Sequence, residues 1–185
     1  MGQYYKPVCI DRKEYLYTHE YDNGLKLMEH SYIGNPFMGA VCTLLLPGGS
    51  WHRMHIVWAG DYANPEPIEA YPDWNEKENG GPSLYAIMSE YGTKIHPPAT
   101  PLPEAFHYLV NHSNRLVIDM ATLQADAYGY VIHPLPLMTA EGNGRGGGDF
   151  RGKDERVGCW ARDEMSIEDH IPDGYTVVDG QFTEE

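Results

Sequence analysis

The distribution of apolar and polar positions at the start of the chain predicts a β hairpin. Residues 3–10 and 14–18 are rich in tyrosine, valine and leucine, and the polar turn Asp11–Lys13 lies between them. Pro7 indicates an edge strand or the start of a strand, because proline cannot donate to a sheet ladder. The run Leu25–His30 is compatible with a third strand or a short helix, since so short a run does not define a period.

The next segment of the chain contains signals for a helix. Asn35 is a suitable N-cap and Pro36 suits the first helical position, so we predict a helix over residues 37–46 that Pro47-Gly-Gly49 terminates. The sequence then predicts a strand over residues 51–58.

Proline and acidic residues dominate the middle of the chain. Residues 64–82 predict an irregular connection, residues 83–91 a short helix capped by Ser83, and residues 96–104 a second proline-rich stretch. We therefore expect 64–104 to be a linker or an elaborated insertion rather than core.

The second part of the chain repeats features of the first. Residues 108–119 predict another hairpin, with His112–Asn114 as its turn. Three segments match earlier ones in the same order, at separations of 102, 103 and 109 residues. The matched pairs are Val8–Leu16 with Val110–Ile118, Leu27–His30 with Tyr130–His133, and Gly49–Arg53 with Gly158–Arg162, the last pair sharing G-x-W-x-R.

This repetition predicts an internal duplication. We expect one compact domain over 1–185, with a first pseudo-repeat at 3–63, a proline-rich insertion at 64–104 and a second pseudo-repeat at 105–178. The expected fold class is α+β and β-dominated, with two related halves built from a hairpin, strands and a short helix. A pseudo-two-fold axis would place a cleft or a shared sheet between the halves.

Composition narrows the classes of function. The chain has 185 residues, 42% of them hydrophobic, and a formal charge of −14. That charge opposes binding to nucleic acid or to an anionic membrane. The three cysteines are widely spaced and show neither a disulfide framework nor a zinc-binding pattern, and the N-terminus has no apolar signal core. We expect a soluble cytoplasmic protein.

The glycine-rich run from Gly142 to Asp149 is the first candidate for a site. Glycine amides can converge on an anion, and arginine can clamp a phosphate or carboxylate. No Gly-Lys-Ser/Thr follows the run, and its G-x-G-x-x-G lettering opens no amphipathic helix, so a P-loop or Rossmann site is disfavoured. The predicted ligand-binding residues are Asn143, Gly144, Arg145, Gly146, Gly147, Gly148, Asp149, Trp160 and Arg162.

Catalysis in the same cleft is an alternative. Asp149, Asp163 or Glu29 could act as a general base with His133 as its partner. The predicted duplication would make His30 equivalent to His133 and would place the two histidines opposite each other. No histidine spacing matches a known zinc motif, so we predict no metal site, and the sequence indicates no particular cofactor.

Several segments together resemble a family of uncharacterised small bacterial proteins. They are the Met1-Gly-Gln-Tyr-Tyr start, Asn23–His30, Trp58–Ala63 and Gly142–Asp149. Shorter members of this family resemble one of the two pseudo-repeats, and they contain a Trp-Ala-Gly-Asp motif. Here Arg162 replaces the glycine of that motif, so any role of the glycine backbone is in doubt in this half. The resemblance implies no activity.

Three functions are therefore compared. The first is a binding module for a small anionic or nucleotide-like ligand at residues 142–151. The second is a hydrolase or transferase that uses the same cleft. The third is an acidic protein-interaction or inhibitory module that binds a basic protein partner.

Overall fold

A computed structural model describes residues 2–67, 81–142 and 149–184. Within these ranges nine strands form one mixed sheet and four α helices accompany it, so the fold class is α+β with strands dominant. The strands are β1 (Tyr5–Cys9), β2 (Glu14–Tyr15), β3 (Met54–Gly60), β4 (Thr93–Lys94), β5 (Tyr108–Asn111), β6 (Leu116–Asp119), β7 (Ala140–Glu141), β8 (Glu164–Glu168) and β9 (Thr176–Val177). The helices are α1 (Leu27–His30), α2 (Pro36–Leu45), α3 (Leu84–Tyr91) and α4 (Pro134–Thr139).

The kinds of strand and their pairing follow the same order on both sides of the central strand pair. The strand order is β4-β2-β1-β3-β8-β5-β6-β9, with β7 paired to β3 beside this path. The central strands β3 and β8 are antiparallel, with His55 opposite Glu164. On each side follows an antiparallel hairpin, β1–β2 or β5–β6, and then a short parallel strand, β4 or β9.

Both predicted hairpins and the main predicted helix are present. The turns that join β1 to β2 and β5 to β6 lie at the polar residues that the sequence indicates. Helix α2 begins where Asn35 Oδ1 accepts a hydrogen bond from the Phe37 N–H at 2.8 Å, and its buried face packs into the core. Helix α3 is capped by Ser83 and ends at Gly92, as expected.

One local prediction needs correction, and one that was left open is decided. The strand expected over residues 51–58 begins only at Met54, because Trp51–Arg53 form a turn in which Arg53 has a φ of 57°. The Met54 N–H donates to the Trp51 carbonyl at 3.1 Å and closes this turn. The ambiguous run Leu25–His30 contains the four-residue helix α1 and no strand.

The two faces of the sheet carry separate apolar clusters, as alternating side chains require. The larger cluster includes Cys9, Ile56 and Trp58, and it also packs against α2 and α4. The smaller cluster contains Val8, Val57 and Ala59 together with two residues of α3. Part of the 64–104 segment is therefore core, contrary to the expectation of a linker, because Leu84 and Met88 of α3 cover one face of the first hairpin.

Candidate functional site

A cavity of about 460 Å³ lies between α2 and the proline-rich segment that follows β4. Its wall contains residues from 33–42, from 99–107, from 120–121 and at position 133. The apolar lining comes from Ile33, Pro36, Met38, Ala99, Pro101, Leu102, Pro103, Phe106, Met120 and Ala121. The volume is within the about 300–1,000 Å³ typical of small-molecule pockets.

The close approach of the proline-rich segment to α2 depends on a glycine in the helix. A Cβ atom at Gly39 would lie 2.9 Å from the carbonyl oxygen of Thr100, which is closer than real contacts allow. The other end of the segment is held by Tyr21, whose hydroxyl donates to the Pro97 carbonyl at 2.6 Å and whose ring stacks on His96. The segment therefore forms a wall with defined contacts at both ends.

A buried polar pair lies at the inner end of this cavity. His133 is the N-cap of α4, and its Nδ1 accepts a hydrogen bond from the Leu135 N–H at 3.2 Å. The proton of the neutral ring is therefore on Nε2, which lies 3.3 Å from Cys42 Sγ. Cys42 and His133 are 1% and 3% exposed, and both line the cavity.

Burial determines the charge state of this pair. It lowers the pKa of His133 to about 3 and raises the pKa of the Cys42 thiol to about 12. At neutral pH the pair is an imidazole and a thiol rather than an imidazolium and a thiolate, so Cys42 lacks the activation of a catalytic cysteine. The pair can orient a ligand through polar contact, but it does not supply a nucleophile.

Polar groups also line the outer part of the cavity. His107 and Glu104 are neighbours there, with His107 Nδ1 at 3.1 Å from the Glu104 carbonyl oxygen. His107 Nε2 lies 3.7 Å from the Asp119 carboxylate. An apolar chamber with a few polar groups at its ends is the usual composition of a ligand pocket.

The sequence-predicted site at the glycine-rich run is only partly described. Residues 143–148 lie outside the described residues, so the placement of Asn143, Gly144, Arg145, Gly146, Gly147 and Gly148 is not part of the structure. At the near end of the run, a Cβ atom on Gly142 would contact the side chains of Gln3 and Tyr5.

Asp149 forms the far end of the run. Its Oδ2 accepts a hydrogen bond from the Met28 N–H in α1 at 2.8 Å, whereas its Oδ1 is buried without a hydrogen-bond partner among the described residues. Burial raises the pKa of Asp149, and the bond from Met28 only partly offsets that effect. The nearby Glu29 raises the pKa further. Asp149 is therefore a carboxyl group in an unfavourable environment for its charge.

The structure does not gather the other predicted residues around Asp149. Glu29 Oε2 accepts from the Lys26 N–H and caps α1. Asp163 Oδ2 accepts from the side-chain amides of Asn111 and Asn114, each at 2.7 Å. His133 bonds to Leu135 and Cys42 instead. Among the described residues, the candidate base and its proposed histidine partner share no hydrogen bond.

Trp160 and Arg162 are both engaged within the protein. Trp160 is 2% exposed and belongs to the larger apolar cluster. The Arg162 guanidinium forms hydrogen bonds to Glu141 Oε1 and Oε2 at 3.1 and 2.9 Å, and it also pairs with Glu66. Although burial alone would lower the pKa of Arg162, these two carboxylates raise it. Their described contacts are structural, and their role in ligand binding stays a prediction.

The cavity beside α2 was missed by sequence reasoning. The prolines of 96–104 indicated a connection, and nothing in their order shows that they cover a helix. The available signal was Gly39, an isolated glycine within a predicted helix, which often marks close approach of another backbone.

Comparison with known proteins identifies no relative. No protein-family model matches the chain, and neither a curated protein nor a solved structure matches it significantly. In the described ranges no three His, Cys, Asp or Glu side chains are grouped to hold a metal ion. No helix there has both the length and the apolar character needed to cross a membrane.

Proposed function

We propose that the protein binds a small, largely apolar molecule in the cavity between α2 and residues 99–107. The observation that carries this proposal is the combination of an apolar chamber of about 460 Å³ with the buried, uncharged Cys42–His133 pair at its inner end. Burial of apolar ligand surface would supply the affinity, and the polar pair would orient one polar atom of the ligand.

The described charges favour an uncharged ligand over an anion. Glu104 is the one Asp, Glu, Lys or Arg among the residues lining this cavity. At the glycine-rich run, the described neighbours Glu141, Asp149 and Glu29 are acidic, and Arg162 already pairs with two carboxylates. An anion site there would depend on Arg145 and on the loop amides.

Titration calorimetry with uncharged aromatic molecules such as indole tests the proposal. We expect saturable binding with one site per chain. Ala121→Trp would place an indole ring into the cavity and abolish binding, because Ala121 is exposed and lines the cavity. Ala105→Trp is the matched control, since Ala105 is also exposed but does not line it. Absence of binding, or equal loss in both variants, would contradict the proposal.

A second candidate function is favoured by Asp149. A buried carboxylate oxygen without a described partner is costly, and a bound ligand or proton at this position would relieve the cost. This supports ligand binding or acid–base catalysis at residues 142–151. The same calorimetry with nucleotides tests it: binding that Arg145→Ala or Asp149→Asn weakens, and that Ala121→Trp leaves unchanged, would favour the glycine-rich site over the cavity.

We also propose that the two halves of the sheet arose by duplication. Besides the strand order, reciprocal contacts support this. The Arg53 N–H donates to the Met165 carbonyl, and the Arg162 N–H donates to the Ile56 carbonyl, at 2.9 and 2.8 Å. Both arginines have positive φ. The cavity would then be an asymmetric addition, because the insertion supplies one of its walls.

The three free cysteines are compatible with a reducing compartment, and we propose that the protein is cytoplasmic. An acidic interaction module stays an alternative, which the charge of −14 supports.

A further inference from the structure

A second cavity, of about 330 Å³, lies on a different part of the molecule. Its wall is formed by Tyr32, by the loop 124–132 and by the C-terminal segment 181–184. It shares no lining residue with the cavity beside α2. Any role of this second cavity is therefore separate from the proposed function.

Two tyrosine rings form an aromatic corner in this cavity. The ring centroids of Tyr32 and Tyr130 are 5.5 Å apart, and their planes are inclined at 55°. Tyr130 is 60% exposed, so its ring is available to a ligand. The backbone holds the two segments side by side, because Tyr32 pairs with Ile132, two residues after Tyr130, in an isolated bridge.

A carboxylate holds the loop that carries Tyr130. Asp126 Oδ1 accepts hydrogen bonds from the Tyr128 and Tyr130 N–H groups at 2.9 and 2.8 Å. Gly129 has a φ of 87°, which closes the loop. The negative charge and the aromatic ring are therefore positioned by the same turn.

The opposite wall is also held in place. Gln124 and Gln181 bond to each other's segments, with the Gln124 N–H donating to Gln181 Oε1 at 2.7 Å. The Arg156 guanidinium donates to the Gln181 carbonyl at 2.6 Å and lies over the Phe182 ring. This wall presents a second carboxylate, Glu184, to the cavity.

The charge of the lining is negative. Asp126 and Glu184 line the cavity, and none of its described lining residues is Lys, Arg or His. Burial is the main cause that raises the pKa of Tyr32. The nearby carboxylates of Glu184 and Asp126 raise this pKa further. Methyl groups of Ala125, Ala127 and Ile132 complete the wall.

We propose that this cavity binds a small quaternary ammonium ion. Aromatic ring faces attract a cation, carboxylates add long-range attraction, and the methyl-lined wall suits methyl groups better than an ammonium that needs three hydrogen-bond acceptors. The site takes the trimethylammonium end of a small molecule, with Tyr32 and Tyr130 as its rings.

Choline and its neutral carbon isostere 3,3-dimethylbutan-1-ol test this directly, because they share a shape and differ in charge. We expect choline to bind the intact protein about tenfold more tightly than the isostere, as a cation–π contact with added carboxylates implies. The methyl proton resonance should shift upfield on binding, owing to the ring currents. Ethanolamine, a primary ammonium, should bind more weakly than choline.

Variants at exposed positions locate the site. Tyr130→Ala should weaken choline binding about tenfold, and Tyr130→Phe should retain most of it. Glu184→Gln should weaken choline binding and leave the isostere unaffected. Tyr128→Ala is the matched control, since Tyr128 is 86% exposed, is in the same loop and does not line the cavity. The proposal is overturned by unsaturable choline binding, by equal affinity for the isostere, or by equal effects of the two alanine variants.

Discussion

At the scale of single residues, Lys6 places a basic group in a buried environment. It is 2% exposed, and its Nζ lies 4.5 Å from the Tyr15 ring centroid and 3.8 Å from that of Tyr85. It also donates to Ser89 Oγ. Burial lowers the pKa of Lys6 to about 8, so cation–π contact only partly replaces the lost hydration.

This environment predicts how stability depends on pH. Between the folded pKa of about 8 and the ordinary value of 10.5, the unfolded chain binds more protons at Lys6 than the folded one. The contribution of Lys6 to the free energy of unfolding therefore rises with pH, by about 1 kcal/mol between pH 7 and pH 9. Lys6→Met should lack this increment, which guanidinium unfolding of both proteins at the two pH values will measure. Parallel pH profiles would disprove the assignment.

The backbone at Arg162 has a conformation that favours glycine. Its φ of 69° is in the left-handed region, where glycine carries no penalty. In this chain the ion pairs to Glu66 and Glu141 offset the backbone strain.

Substitution should separate these two effects. Arg162→Gly relieves strain but leaves two partly buried carboxylates side by side, so we expect a net loss of about 1–2 kcal/mol of stability. Adding Glu66→Gln and Glu141→Gln should recover most of that loss, because the repulsion is removed. Thermal unfolding of the single and triple variants is the measurement. A triple variant less stable than Arg162→Gly would show that the carboxylates have another role.

At the scale of elements, the sequence predicted the parts that depend on local signals. Hairpins with polar turns and a helix with an Asn-Pro start are determined within a few residues, and both hairpins and α2 were predicted correctly. Strand β3 was predicted three residues too early, because Trp51 has strand propensity but lies in a turn that is closed by the hydrogen bond from the Met54 N–H to the Trp51 carbonyl. The turn overrides strand propensity there.

The candidate site was less accessible to prediction. The glycine-rich run was predicted as a site from its local composition. The cavity beside α2 instead depends on the contact between Gly39 and Thr100, which are far apart in the chain. His133 was predicted to be the partner of a base at Asp149, Asp163 or Glu29, whereas it is a neutral neighbour of Cys42. Such pairings follow from packing, which a local pattern does not encode.

The proposed duplication leads to a prediction about the two Gly-x-Trp-x-Arg turns. Copying the first turn into the second requires only Cys159→Ser and Ala161→His, since Gly158, Trp160 and Arg162 are common to both. We expect this double variant to fold and to lose no more than about 2 kcal/mol of stability, because Cys159 is exposed, both turns have an arginine at positive φ, and only Ala161, which packs against the smaller apolar cluster, must accept a larger side chain. Unfolding in guanidinium measures the change, and failure to fold would count against equivalence of the turns.

At the scale of the whole molecule, a symmetric sheet carries asymmetric additions. The sheet has the same order of strands on both sides of the β3–β8 pair, but α3 packs against β1 and β3, and the proline-rich segment packs against α2. The proline-rich segment supplies one wall of the cavity beside α2. The overall charge of −14 is compatible with ligands that are neutral or positively charged.

Methyl-labelled methionine NMR tests the proposed cavity site most directly. Met38 and Met120 line the cavity, and Met165 lies in the core away from its lining. With indole-like ligands, the account predicts that the methyl resonances of Met38 and Met120 move together in saturable titrations while that of Met165 stays unchanged. Binding that leaves Met38 and Met120 unmoved would contradict a ligand site between α2 and residues 99–107.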